Sequence, residues 1–258
     1  MKLSADYHTH TKYSHGKGTV LDNAVQAGLQ GLKEIGITDH GFSHPAFGLN
    51  KRKVPSLVKD CKDATLKTGV KVLVGVESNI IGTDGTVDLK AKMYDDFDLF
   101  LAGFHKFVLY KPNTFFSTFI PNFLYSTFKA KDAPKGLVKR NTKAYINVIK
   151  NNPVDIITHI NFCCFADAVE VAKCAADYGT YLELSSKKTH LTDEEIYALL
   201  KTGVNFVIDS DAHSPSRVGE ISLAKRLVER VGVPLDRIKN IDGKLPEFRF
   251  MNFKGIKR

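Results

Sequence analysis

Short runs of apolar, β-branched residues alternate with longer amphipathic stretches along most of the chain. Runs of this length are typical of buried strands, and the amphipathic stretches have the spacing of helices that pack one face against a core. We predict strands at Leu3–Tyr7, Glu34–Thr38, Val70–Val76, Leu99–Gly103, Asp155–Thr158, Tyr181–Leu184 and Asn205–Ile208. We predict helices at Val20–Gln30, Val54–Thr68, Leu137–Asn151, Phe165–Tyr178, Thr192–Lys201 and Ser216–Val231. Strands that alternate with helices in this way predict an α/β fold with a parallel sheet.

One segment, at about residues 106–135, departs from this alternation. Its aromatic side chains, interspersed with lysines, are Phe107, Tyr110, Phe115, Phe116, Phe119, Phe123, Tyr125 and Phe128. Long insertions in compact domains are functional or disordered as a rule, and this one is too aromatic for disorder. We favour a lid over a site at the preceding strand end. A dimer contact is the second interpretation, and a membrane-surface or nucleic-acid patch is the third.

Length and composition are those of a globular protein, with 258 residues of which 43% are hydrophobic and 25% charged. We expect a single domain over residues 1–258. No apolar stretch is long enough to span a bilayer, and the first residues lack the apolar core of a signal peptide. The cysteines form no CxxC pair and no disulfide framework, so we expect reduced thiols and a cytoplasmic protein.

The formal net charge of +9 favours an anionic partner, either a phosphate ester or nucleic acid. The lysines are spread along the chain, with the densest groups at Lys51–Lys53 and Lys129–Arg140. A solvated basic surface therefore explains the charge better than a nucleic-acid footprint does.

Histidines and acids recur where the predicted strands end, and imidazole and carboxylate are ligands of divalent transition metals. The residues at these ends, or in the loops just beyond them, are His8, His10, His15, His40, His44, Glu77, His105, His159, Asp211 and His213. His8 and His10 can bind one metal together, because alternate residues of a strand project to the same side. A ring of parallel strands brings its strand ends to one mouth. We therefore predict a polynuclear metal site on a closed barrel, since an open sheet gathers its ligands mainly at one crevice.

The order of these motifs resembles that of the PHP (polymerase and histidinol phosphatase) family, and most closely its stand-alone phosphoesterases and histidinol phosphatases. The motifs are Asp6-Tyr7-His8-Thr9-His10, Ser14-His15-Gly16, Ile37-Thr38-Asp39-His40-Gly41, Gly75-Val76-Glu77, His105, Thr158-His159 and Asp209-Ser210-Asp211-Ala212-His213-Ser214-Pro215. They span residues 6 to about 220. The combination is specific for the family but says little about the substrate.

The resemblance implies a distorted (β/α)7 barrel with three divalent metal ions at the carboxyl-terminal mouth of the strands. One metal would be held by His8, His10, Glu77 and Asp211. A second would be held by Glu77, His105 and His159, with Glu77 as a bridge. The third would be held by His15, His40 and His213. Imidazole-rich ligation suits Zn, Fe or Mn.

The chain departs from many relatives after the fifth strand, where a Gly-Asn-Pro-like turn is replaced by Asn161-Phe162-Cys163-Cys164. We expect His159 to remain a ligand, while the sequence does not predict the shape of the barrel wall that these four residues form. We also expect Cys163 and Cys164 to pack in the wall rather than to supply a reactive thiol.

Several residues are candidates for roles around the ligands. Arg217 is our candidate for a bidentate grip on phosphate, with an ordinary helix-start arginine as the alternative. Asp39 and Asp209 adjoin ligands and suit roles that orient imidazoles. Ser185-Ser186-Lys187 follows the sixth strand and is expected to line the pocket. Three further residues, Lys106, His44 and His190, are interpreted as a solvated lysine, a loop residue and a structural histidine.

The leading functional hypothesis is hydrolysis of a phosphate monoester of a small soluble molecule, as in histidinol phosphatases, by a hydroxide that bridges two metals. Two metals about 3.5–4 Å apart can supply hydroxide at neutral pH and clamp the oxygens of an in-line displacement. Glu77 and Asp211 would carry this chemistry. One alternative is a phosphodiesterase or exonuclease acting on nucleic-acid ends, which the positive charge and the aromatic insertion favour. A non-catalytic metal-binding module is the third hypothesis, and the number of ligands converging on an open mouth argues against it.

Overall fold

The computed structural model describes residues 1–127 and 133–256 of the chain. All seven predicted strands are present in one sheet and follow each other in chain order, each parallel to its neighbours. They are β1 (Ala5–Thr9), β2 (Glu34–Ile37), β3 (Lys71–Asn79), β4 (Leu99–Gly103), β5 (Ile156–Ile157), β6 (Tyr181–Ser185) and β7 (Phe206–Asp209).

Helices cover the outside of the sheet. The longer ones are α1 (Val20–Leu29), α2 (Val54–Thr68), α4 (Ile120–Thr127), α5 (Lys135–Asn151), α6 (Ala168–Tyr178), α7 (Asp193–Leu200) and α8 (Ser222–Val231), and the short ones are α3 (Pro112–Thr114) and α9 (Arg249–Phe253). A capping box begins α7, because the Thr192 hydroxyl accepts a hydrogen bond from the Glu195 amide while the Glu195 carboxylate accepts one from the Thr192 amide.

The first and last strands meet and nearly close the sheet into a barrel. Thr9 forms an isolated parallel bridge with Ala212, just beyond the end of β7. The His10 amide donates to the Ala212 carbonyl over 2.8 Å, and the Tyr7 amide donates to the Asp209 carboxylate over 2.7 Å. The predicted seven-stranded parallel barrel is confirmed.

Alternation along β3 shows how the barrel interior is divided into layers. Leu73 belongs to a small buried cluster with Tyr7, Leu99 and Phe248, whereas the intervening valines pack in the larger cluster that includes the helices. A side chain at Gly75 would place its Cβ 2.5 Å from Thr38 Cγ2, so this layer has no space to spare. The next inward position is Glu77. An apolar floor therefore lies beneath a polar upper layer.

The chain beyond α8 closes the floor. Phe248 contacts Tyr7 edge to face, with ring centroids 4.9 Å apart. The Asp155 carboxylate accepts hydrogen bonds from the backbone amides of Phe100 (2.9 Å) and Phe250 (2.8 Å), which attaches this segment to β4. The side chain of Asn240 bonds both backbone groups of Ile208. This segment seals the end of the barrel opposite the site.

Two predicted helix starts are wrong. The helix expected from Ser216 begins at Ser222, because Pro215–Arg217 forms a 3-10 turn and Gly219 takes a left-handed conformation with φ of +76°. The helix expected from Phe165 begins at Ala168, where the Asp167 side chain caps its first amides. Arg217 consequently lies in a turn and not at a helix start.

The insertion forms ordered helical structure in its described part. Residues 112–127 run through α3, a π-helical turn (Phe115–Phe119) and α4. Tyr110 stacks on Phe119, and its hydroxyl donates to the carbonyl of His105 over 2.5 Å. Phe128 and the start of the Lys129–Arg140 group lie outside the described residues. The segment packs beside the strand end that carries His105, and its role as a lid stays a prediction. Among the described residues, no helix is both long and apolar enough to cross a bilayer.

Candidate metal centre

The carboxyl ends of the strands bring the predicted ligands into one cluster at the barrel mouth. Four overlapping groups have potential ligand atoms within 4.8 Å of one another: His10, His40 and His213; His8, His159 and Asp211; His8, His10 and Glu77; His40, Glu77 and His105. These groups contain eight of the nine predicted ligands. The ninth, His15, is adjacent, because its ring stacks on that of His40 with centroids 4.8 Å apart.

Glu77 lies at the centre of the cluster and is fully buried. Its carboxylate oxygens lie 2.7–3.7 Å from the nearest ring nitrogens of His8, His10, His40, His105 and His159. The Thr158 hydroxyl donates to Oε1 over 2.9 Å. One carboxylate therefore contacts side chains from β1, β2, β4 and β5, as a bridging ligand must.

Asp211 approaches the cluster from the other side of the β1–β7 seam. Its Oδ1 lies 3.3 Å from His10 Nε2 and 3.8 Å from His8 Nε2, and its Oδ2 lies 3.0 Å from Lys187 Nζ. The backbone of Asp211 is left-handed, with φ of +46°, and so is that of His159, with φ of +24°. Such conformations are costly for residues with a Cβ and recur at functional sites.

Unsatisfied polar atoms show that the cluster fits divalent metal ions. Buried polar side-chain atoms in proteins normally have a hydrogen-bond partner. Among the described residues, five that have none belong to the cluster: His10 Nδ1, Glu77 Oε2, His105 Nδ1, His105 Nε2 and His159 Nδ1. Cations held among imidazole nitrogens and carboxylate oxygens would engage Glu77 Oε2 and His105 Nε2, which lies 3.1 Å from the Glu77 carboxylate.

The electrostatics of Glu77 and of three imidazoles favour the protonation states that metal ligands need, whereas at His8 and His159 burial is outweighed by nearby carboxylates, Glu77 foremost, which raise the pKa. Burial alone would raise the pKa of Glu77, but the imidazoles of His105, His8 and His159 reverse this and hold that pKa well below its usual range. Burial lowers the pKa values of His15, His105 and His213 to about 4 each. At neutral pH the carboxylate is ionised, and these three imidazoles are neutral with a free lone pair.

Glu183, on β6, is a functional residue that the sequence analysis missed. Its Oε1 lies 2.6 Å from His8 Nδ1, and its Oε2 accepts from the backbone amide of His159 over 2.6 Å. A carboxylate behind an imidazole fixes its tautomer and leaves the other nitrogen free to bind metal. The sequence did contain a signal for Glu183, because it is an acid inside a strand that was predicted to be buried. Acids are almost never fully buried unless they are paired.

Asp39 and Asp209 support the site through loops and backbone. Asp39 accepts from the amide and hydroxyl of Thr11 and from the hydroxyl of Ser14, which holds the loop that carries His15. Asp209 accepts from the Tyr7 amide beside His8. The expectation that they orient imidazoles directly is replaced by a role in fixing the segments on which the imidazoles stand.

The wall after β5 forms a tight turn. Asn161 and Cys163 are left-handed, with φ of +67° and +50°, and the Asn161 side chain closes the turn by accepting from the Ala166 amide. The turn places the Phe162 ring 5.0 Å from that of His159. Burial raises the pKa of the Cys163 thiol well above its usual value, which supports the expected packing role.

The remaining candidates lie around the cluster. Arg217 contacts Glu220 (3.1 Å) and the Ser186 carbonyl (3.4 Å), and its grip on phosphate stays a prediction. His44 accepts from the Phe47 amide within its own loop, as expected of a loop residue. Ser185 and Lys187 line a cavity next to Asp211, which agrees with the pocket expected after the sixth strand.

A parallel seven-stranded barrel whose mouth holds this many imidazoles and acids is typical of a metal-dependent enzyme. The chain belongs to the PHP domain family, whose family model matches residues 6–191. It is 32% identical to a protein of Thermoanaerobacter sp. (strain X514) named "Probable phosphatase", over 96% of this chain and 95% of that protein. A Vibrio vulnificus (strain CMCP6) protein of the same name is 30% identical, over 92% and 89% of the two chains.

A solved structure supports the fold. The histidinol phosphate phosphatase of Lactococcus lactis, complexed with zinc, L-histidinol and phosphate, matches with a TM-score of 0.59. The match covers 90% of this chain and 95% of that one at 15% identity, so the similarity is one of fold. The predicted family, barrel and enzyme class are confirmed: the protein is a metal-dependent phosphatase of the PHP family.

Proposed function

We propose that the protein hydrolyses a phosphate monoester of a small soluble molecule, using three divalent ions held at the barrel mouth. His8, His10, Glu77 and Asp211 would hold the first ion. Glu77, His105 and His159 would hold the second, and His15, His40 and His213 would hold the third. The observation that carries the proposal is the position of Glu77, whose two oxygens lie among imidazoles from four strands.

The residues of the chain prepare the site for a phosphate anion. When bound, divalent ions such as Zn or Mn supply Lewis acidity, which makes water nucleophilic at neutral pH and offsets the negative charge of the ester. Glu77 belongs to two ligand groups and so sets their spacing. Glu183 fixes His8 with its Nδ1 proton directed outward and its Nε2 lone pair directed into the site. Lys187 adds a cation at the edge of the site, 3.0 Å from Asp211.

The scale of the site supports a small substrate. The cavity beside the cluster has a volume of about 240 Å³, which suits a metabolite more than a polymer end. Histidinol phosphate is the first ester to test, because the Lactococcus enzyme carries that name. The four cysteines are free, which supports the expected cytoplasmic location.

The proposal is tested with metal-replete protein on four substrates. Phosphate release from p-nitrophenyl phosphate and histidinol phosphate, abolished by a chelator and restored by Mn or Zn, is the expected result. Activity confined to bis-p-nitrophenyl phosphate or to oligonucleotides would identify a phosphodiesterase instead. No turnover at all, together with unfolding on chelation, would identify a structural metal site.

A further inference from the structure

A cavity beside the candidate metal centre is built largely from residues for which the proposed chemistry has no use. It opens at the carboxyl ends of β5 and β6, and its volume is about 240 Å³. His159 and Asp211 contribute to its wall, so it is continuous with the cluster. The rest of its lining includes Phe162, Lys187 and Lys188. An ester bound with its phosphate at the metals would place its alcohol portion here.

The charge of this cavity is positive. Lys187 Nζ lies 3.0 Å from Asp211 Oδ2 and 3.2 Å from His213 Nδ1, at the boundary with the cluster. Lys188 follows it in the chain and lines the same cavity. Among the described lining residues Asp211 is the sole carboxylate, and it is a proposed metal ligand. Lys188 is thus left to face the alcohol portion of a substrate, with Lys187 beside it at the boundary with the cluster.

An aromatic surface accompanies the two cations. The Phe162 ring lies 5.0 Å from the ring of His159 and 5.2 Å from that of His190. Burial lowers the pKa of His190 to about 4, so this imidazole is neutral and adds no positive charge. The cavity therefore offers one apolar face for a carbon skeleton and cationic groups for an anion.

We propose that the protein selects phosphate esters whose alcohol portion carries a second acidic group, held by Lys187 and Lys188 against Phe162. The second group is a carboxylate or another phosphate, since both accept charge-assisted hydrogen bonds from ammonium groups. Cationic alcohols such as histidinol are disfavoured, because like charges in the same cavity repel. This inference rests on the proposed function and narrows its substrate class.

The test compares esters that differ in the charge of the alcohol. The anionic member is 3-phosphoglycerate, the neutral member is glycerol 3-phosphate, and histidinol phosphate is cationic. One charged hydrogen bond gives a preference of roughly tenfold, so we expect kcat/KM for 3-phosphoglycerate to exceed that for glycerol 3-phosphate by about this factor or more. Propane-1,3-diyl bisphosphate, compared with its monophosphate, measures the same preference for a second phosphate.

Two variants test whether the preference for the anionic ester arises from the cavity. Lys188→Gln is expected to reduce the ratio of the two kcat/KM values by roughly tenfold. Lys173→Gln is the matched control, because it removes the same charge from an exposed position on α6. It should leave the ratio unchanged. A loss of preference in the control as well would attribute it to overall charge and contradict the proposal.

Failure of the inference and failure of the proposed function give different results. Equal turnover of the charged and neutral esters, or a preference for histidinol phosphate, overturns the inference while the phosphatase function stands. If neither glycerol 3-phosphate nor 3-phosphoglycerate is hydrolysed, the proposed function fails for these esters. Glycerol 3-phosphate and 3-phosphoglycerate can then be used as stable ligands, and calorimetry gives their affinities for the metal-replete protein. The inference predicts that 3-phosphoglycerate binds roughly tenfold more tightly, and equal affinities overturn it.

Discussion

The two ends of the barrel treat buried polar groups in opposite ways. At the floor, the Asn240 side chain donates to two carbonyls and accepts from an amide, and both oxygens of Asp155 accept backbone amides. At the mouth, Glu77 Oε2 and both ring nitrogens of His105 are buried without a hydrogen-bond partner among the described residues. Asn240 and Asp155 are satisfied by hydrogen bonds within the protein, whereas the groups at the mouth would gain partners by binding ions.

This difference separates residues that stabilise the fold from residues that the fold holds in place. Polar groups at the floor attach the carboxyl-terminal segment to the strands. Polar groups at the mouth are held together at a cost, because buried groups without partners and left-handed residues such as His159 and Asp211 both disfavour the folded state. We therefore expect metal and mutation to act differently at the two ends.

Metal removal should have the largest effect and should act on the mouth. If each ion is present at about a thousandfold above its dissociation constant, chelation lowers the free energy of unfolding by about 4 kcal/mol for every ion removed. Hydrogen exchange on the chelated protein should show a larger loss of protection around His159 and Asp211, where local opening adds to the loss of global stability, than in β4 beside Asp155. Equal loss of protection at both ends would remove the distinction between them.

Replacement of a proposed ligand should separate activity from folding. We expect Glu77→Gln and Asp211→Asn each to lower kcat/KM for p-nitrophenyl phosphate by more than about a hundredfold, since even residues behind ligands contribute up to that factor. The metal-free variants should still fold, but thermal unfolding should occur below the wild-type temperature, because the groups that hold the pKa of each carboxylate below its usual range also stabilise its ionised form in the folded state. Near-wild-type turnover in either variant would contradict the bridging arrangement.

Glu183→Gln tests the layer behind the ligands. The amide cannot accept from both His8 and the His159 backbone as the carboxylate does, so metal affinity should fall by roughly 10- to 100-fold. Competition with a chromogenic chelator measures this without reference to turnover. Glu229→Gln, at an exposed position on α8, is the control with the same charge change and should not alter affinity.

The floor is tested by the pH dependence of Asp155. Burial raises the pKa of Asp155 to about 7, while an aspartate in the unfolded chain titrates near 3.8. Between these values the folded state binds the extra proton, so stability falls as pH rises through this window, by at most about 1.4 kcal/mol per pH unit. Asp155→Asn removes this dependence. Urea unfolding of both proteins from pH 4 to 8 measures this. The difference between their free energies of unfolding should change with pH up to about pH 7 and stay constant above it. If this difference is the same at every pH, the raised pKa of Asp155 is contradicted.

Local patterns in the sequence were sufficient to predict the elements of the fold. The predicted bounds of α2 and β4 agree with the structure, because an amphipathic helix and a short apolar run are encoded by neighbouring residues. The start of α8 was not predictable in this way. Gly219 turns there because its amide donates to the buried Asp6 carboxylate at the far end of the sequence. A contact across the seam leaves no local periodicity.

The site residues also divide into those that local sequence patterns predict and those that depend on contacts between distant parts of the chain. His8 and His10 stand out through their spacing, and the other candidates through their place after a strand. Glu183 gave a weaker signal, because a single acid in β6 is compatible with an exposed strand face. Its role became clear once the barrel placed it 2.6 Å from His8 Nδ1. The cavity with Lys187 and Lys188 likewise depends on how loops from different strands meet.

The seam between β1 and β7 also sets an order of events during synthesis. Tyr7 and Asp209, which are hydrogen-bonded across it, are 202 residues apart in sequence. At about 5–20 residues per second, a ribosome needs roughly 10–40 s to make the intervening chain. The nascent protein therefore carries the His8–His10 pair throughout this interval without Asp211 or His213. Full metal loading must follow the emergence of β7, and a chain truncated before that strand would leave a histidine pair able to bind ions that it cannot enclose.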